Sequence, residues 1–124
     1  MARVVHFELA VDDPDRAAAF WRDAFGWEVR HFADGPQDYW LVDTGDGELG
    51  INGGLFRRQD FPASVGTVCT LDVEDCAAAV SAVEAAGGSV LMPRMAVNGV
   101  GWLAYCRDTE GTVFGVMEAT AAAR

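Results

Sequence analysis

A displacement of half its length lays this sequence over itself. Moving the 124 residues by 62 positions puts Leu9 on Leu71, Val11 on Val73, Asp13 on Asp75 and Ala17 on Ala79. Further along, Ala24 falls on Ala86, Gly26 on Gly88, Trp40 on Trp102 and Leu41 on Leu103. Alanine and glycine matches carry little weight in an alanine-rich chain. The Leu-x-Val-x-Asp run and the Trp-Leu pair carry more, and they point to one supersecondary unit used twice.

Each half has the same internal grammar. Val4–Val11 is rich in β-branched and aromatic residues and reads as a strand. Asp13 is placed to cap a helix, and Pro14 suits the first helical position, where its missing N–H has no partner to lose. Ala17, Phe20, Trp21, Ala24 and Phe25 recur at the spacing of one buried helical stripe, and Gly26 supplies the left-handed stop. The second half offers a strand over Thr67–Val73, a helix from Cys76 with Val80 and Val83 inward, and Gly87-Gly88 as its stop.

Short strand-like runs follow each helix. They are Trp27–Phe32, Tyr39–Asp43 and Glu48–Asn52 in the first half, and Ser89–Pro93, Trp102–Arg107 and Thr112–Glu118 in the second. Strand, helix and three strands, twice over, predicts an α+β fold of two tandem βαβββ modules with mixed sheets. The expected organisation is one domain over 1–124, with module one at 1–56, a linker at 57–65 and module two at 66–120. The linker, RRQDFPASV, is polar, and Pro62 fits neither a helix interior nor a central strand.

Composition removes several function classes. A formal net charge of −10 repels phosphates and anionic lipid, so neither nucleic acid nor a membrane surface is expected as a partner. All nine cationic side chains are arginines, which leaves no lysine for a P-loop, a Schiff base or pyridoxal phosphate. Cys69, Cys76 and Cys106 form no CxxC pair, and Glu8 interrupts the opening apolar run. A reducing, cytoplasmic location follows as the expectation. No run approaches the length of about 20 apolar residues that a bilayer demands.

Some motifs fail on context. Gly45-Asp46-Gly47-Glu48-Leu49-Gly50 spells G-x-G-x-x-G, but Ile51-Asn52-Gly53-Gly54 cannot open the required helix, and two carboxylates would repel a pyrophosphate. None of Ser64, Ser81 and Ser89 stands in G-x-S-x-G. Cys69 reads as a small core residue. Cys106, beside Arg107, is a candidate for a lowered thiol pKa.

The opening HFELAVDDPDRAAAFWRDAFGW and the closing RDTEGTVFGVME, set in paired βαβββ halves, resemble the vicinal-oxygen-chelate superfamily. That group includes glyoxalase I, ring-cleaving dioxygenases, epimerases and bleomycin- or fosfomycin-resistance proteins. The resemblance implies curved sheets forming a cup around a small organic ligand, and pairing as a homodimer. It also implies metal ligands on the first and last strand of each half. Only His6 matches that pattern. Val68 stands at its repeat position, Gly115 where a glutamate is expected, and Gly50 or Asn52 at the remaining place. No metal or other cofactor is therefore expected. An unconventional site of His6 and Glu8 with Asn52 or Glu118 is the competing arrangement.

His6 and Glu8 are two apart on a strand and share a face, opposite Phe7 and Leu9. If the apolar pair lies under the helices, the polar pair lines the concave side. There it can be a hydrogen-bonded wall, or it can perform general acid–base catalysis through His6, with Glu8 setting its tautomer or acting as base. Trp40 and Trp102 are either structural or flat walls for a planar, cationic ligand, with Asn52 and Met117 as further lining. Two function classes result. One is a lyase- or isomerase-type enzyme using His6 and Glu8; the other sequesters a drug or metabolite without catalysis. Metal-dependent lactoylglutathione lyase chemistry ranks third.

Overall fold

The repeat shows first at the helix starts. In the computed structural model, which describes residues 2–33 and 37–123, Asp13 and Asp75 adopt nearly the same extended backbone. Each carboxylate accepts from the N–H three residues on, Arg16 at 3.0 Å and Ala78 at 2.9 Å. Behind these caps run α1 (Pro14–Phe25) and α2 (Cys76–Ala85). Gly26 closes α1 at φ 75°; α2 is shorter and ends into Gly87 at φ 97°.

The strands are β1 (Arg3–Val11), β2 (Glu28–Phe32), β3 (Tyr39–Asp43) and β4 (Gly53–Arg57), then β5 (Thr67–Asp72), β6 (Ser89–Val97), β7 (Gly101–Arg107) and β8 (Val113–Ala119). In the first module they order β2-β3-β4-β1, and in the second β6-β7-β8-β5. Opening and closing strands are parallel in both, and the remaining pairs antiparallel. The α+β architecture of two βαβββ modules is thus as expected. Compact units form over His6–Thr67 and from Val68 onward, the latter including the residues before His6.

Register refines the repeat. One row across module one is Leu9–Leu55–Trp40, and its counterpart in module two is Leu71–Val116–Ala104. Leu9 and Leu71 are therefore equivalents. Trp40 corresponds to Ala104 and not to Trp102; β6 carries register shifts between Val90 and Met95 that β2 lacks.

The closing strand of module one is a correction. It was expected at Glu48–Asn52, but that stretch is irregular and β4 begins at Gly53. Two adjacent glycines read as a turn, yet both are buried inside the strand. A Cβ at Gly53 would overlap the Phe7 carbonyl, so bare backbone is what lets β4 lie there. Arg57 completes β4 and residues Arg58–Asp60 form a 3-10 turn, so the linker begins as ordered structure. Arg58 binds the Asp12 carboxylate and the Ala10 carbonyl.

In module one, Trp27 joins helix to sheet. It stacks on Trp21 at 4.5 Å and 10° and meets Phe7 at 5.7 Å, over a core that includes Leu55 and Val42. The expected helical stripe is narrower than its spacing suggested, since Phe20 is 57% and Phe25 66% exposed. In module two, Cys76, Ala104 and Val116 are the centre, packed by Leu71, Val73, Ala79, Val80, Trp102 and Phe114. Cys69 is exposed and not a core residue.

Candidate functional site

Strand alternation divides module one into two faces. Phe7, Leu9, Leu55 and Trp40 lie on the face that α1 covers through Trp27. His6, Glu8 and Ala10 lie on the other, in rows Glu8–Gly54–Leu41 and Ala10–Phe56–Tyr39. His6 and Glu8 therefore share the face away from the helix. Glu8 is only 4% exposed, an expensive place for a carboxylate without partners.

The structure adds Tyr39 to this pair. Its hydroxyl lies 2.8 Å from His6 Nε2. The ring reaches there because Gly54 has no side chain: a Cβ at Gly54 would fall inside the phenol. Burial pushes the His6 imidazole below its ordinary pKa, while the negative charge of Glu8 pulls the other way. A half-buried imidazole that resists protonation is a neutral base near physiological pH. Sequence spacing placed Tyr39 beside Trp40 but gave no sign that it returns to β1; the only trace was the unexplained Gly53-Gly54 pair.

The remaining expected site residues go elsewhere. Trp40 is on the helix-side face, between His31 at 5.1 Å and the Arg57 guanidinium at 5.2 Å. Trp102 packs against the core under α2, with Arg94 over its ring at 4.2 Å. Each is held on the helix side of its own sheet, where it braces structure. Asn52 uses its side-chain oxygen to accept from the Thr44 N–H at 2.9 Å and the Thr44 hydroxyl at 3.2 Å, which fastens the loop before β4. Met117 shares a row with Asp72 and Leu103 on the face away from α2. Glu118 accepts from the Cys76 N–H at 2.9 Å and caps α2.

The metal pattern of the resembled superfamily can now be tested by position. In module one the opening strand supplies His6, whose Nε2 is already engaged by Tyr39, and the closing strand supplies Gly54 in the row of Glu8. In module two the corresponding positions are Val68 and Gly115. Glycine and valine bring no donor, so these residues do not fit a tightly held divalent ion. Among the described residues no group of three or more His, Cys, Asp or Glu side chains converges. Cys106 is no activated thiol either: burial pushes its pKa up, with the charge of Glu84 adding to the rise.

Comparison with known proteins agrees with the topology. A Didymella fabae protein described as glyoxylase-like domain-containing is 27% identical over 112 residues, 88% of each chain. A Streptomyces coelicolor methylmalonyl-CoA epimerase variant, solved with 2-nitronate-propionyl-CoA, superposes with a TM-score of 0.71. The alignment is 17% identical and covers 100% of this chain and 99% of that one. The Mycobacterium tuberculosis methylmalonyl-CoA epimerase superposes at 0.65, with 16% identity and coverage of 94% and 87%. These structures share the fold. The profile of the glyoxalase-like domain matches residues 5–117, nearly the whole length, and the chain belongs to the glyoxalase-like domain family.

Proposed function

We propose that this protein is a small-molecule enzyme of isomerase type, in which His6 and Glu8 exchange a proton at a carbon beside a carbonyl. The observation that carries the reading is the pairing of a neutral, half-buried imidazole with a buried carboxylate on the face its helix leaves open. His6 takes the proton and becomes imidazolium; the C–H electrons move to the carbonyl oxygen as an enolate; return of a proton restores the carbonyl. Epimerases among the proteins of similar fold support this reaction class. The residues at the metal positions give no basis for a lactoylglutathione lyase route through a bound ion.

The test is hydrogen–deuterium exchange. The protein is incubated in D2O with a panel of branched acyl thioesters and small 2-substituted carbonyl compounds, and label is followed by NMR. Enzyme-dependent incorporation that is lost in His6→Gln with binding retained is the expected result. Binding without incorporation for any compound would favour sequestration and overturn the catalytic reading.

A further inference from the structure

Among the described residues, Arg30 is the one arginine that strand register places on the open face of module one. Its neighbour His31 packs against Trp40 at 5.1 Å, on the helix side of the sheet, so alternation turns Arg30 the other way. Register carries the row Glu8–Gly54 on to Leu41 and then to Arg30, from β1 across to the edge strand β2. Three strand spacings put the two ends of that row roughly 14 Å apart along the sheet. Arg30 is exposed, and among the described residues its side chain makes no ion pair or hydrogen bond, although Glu28 stands two residues away on the same face. By contrast, Arg22, Arg57 and Arg58 are each held by an aspartate.

Between the two ends of the row the surface is apolar. The Tyr39 ring fills the place of a Gly54 side chain, Leu41 follows in the same row, and Phe56 and Phe32 flank Tyr39 across the strands. In a chain of net charge −10 the background field repels anions, so an unpaired guanidinium on this face is a local reversal of sign. Its planar fork offers paired donors to a carboxylate or a phosphate. We infer that the ligand is elongated: a carbonyl group at His6 and Glu8, an apolar stretch over Tyr39 and Leu41, and an anionic group at the far end bound by Arg30. Arg30 selects the ligand and takes no part in proton transfer. This inference rests on the reading of His6 and Glu8 as the proton-exchanging pair, and adds the class of molecule that reaches them.

Affinity tests this without turnover. The probes are ω-carboxy methyl ketones of increasing chain length, their neutral methyl esters and the corresponding ω-phosphates, each titrated by NMR on the His6 ring signals. At one best length the parent protein should bind a carboxylate or phosphate on the order of tenfold tighter than the ester, the equivalent of a charge-assisted hydrogen bond. Which of the two anions binds better identifies the group that Arg30 takes. Arg30→Gln should remove the preference, whereas Arg16→Gln, which deletes a charge on α1 instead, should keep it. No anion preference at any length would overturn the proposal. So would a preference that survives Arg30→Gln, or one that falls equally in Arg16→Gln and so reports net charge alone. An Arg30-dependent preference without proton exchange would fault the catalytic reading and not the ligand class.

Discussion

A single residue, His6, ties stability to pH. Its pKa in the folded protein lies below the ordinary value of about 6.5 because burial disfavours the cation. The unfolded chain therefore binds a proton first as pH falls. Stability from this group is complete above about pH 6.5 and is lost as pH drops towards the folded-state pKa. Thermal melts from pH 7.5 to 5 should show a falling midpoint whose slope shrinks in His6→Gln. An equal slope in the two proteins would mean that other groups carry the acid sensitivity. Tyr39 gives a different lesson at this scale. It stands next to Trp40 in sequence, but alternation sends the two rings to opposite faces of one sheet. His6 and Glu8 were legible because a two-residue spacing on one strand is a local fact. Tyr39 was not, because its placement depends on β4 being paired to both β1 and β3.

Elements carry the repeat, and their ends are where it can be tested. The two N-caps use the same residue type, backbone region and donor position, so Asp13→Ala and Asp75→Ala should each destabilise by about 1 kcal/mol. Chemical denaturation would read this as a lower midpoint with little change in slope. Glu118 belongs to the same class: it caps α2 through the Cys76 N–H, and Glu118→Gln should lower stability while leaving proton exchange intact. A selective loss of exchange would put Glu118 back in the site. Gly53 and Gly54 separate two demands on β4. At Gly53 an added methyl meets the Phe7 carbonyl, which is backbone and cannot turn aside, so Gly53→Ala should cost roughly 1–3 kcal/mol, the range of an overpacked core. At Gly54 the obstacle is the Tyr39 side chain, which can swing away; Gly54→Ala should keep more stability and break the His6–Tyr39 contact, seen as a shift of the His6 ring signals by NMR. The missed strand belongs here too. A Gly-Gly pair is locally indistinguishable from a turn, and only close approach by Phe7 and Tyr39 makes it strand interior.

For the whole molecule the donor count sets the expectation. With one histidine across the four superfamily ligand positions, protein purified without chelators should hold well under one equivalent of manganese, iron, nickel or zinc by elemental analysis. Near-stoichiometric metal would require ligands outside those positions. The sequence alone determined the architecture: two copies of a strand–helix–three-strand unit, marked by paired Asp caps, glycine stops and a repeated Leu-x-Val-x-Asp run. Those are properties of local propensity and periodicity, which act over a few residues and survive in one dimension. It also determined that His6 and Glu8 share a face. Tertiary structure alone decided the rest: that Trp40 and Trp102 brace the helix sides, that Asn52 fastens a loop, that Glu118 caps a helix, and that a tyrosine from β3 crosses a glycine to reach His6. Each of those outcomes depends on register between strands distant along the chain, and register is set by the packing of whole faces against one another.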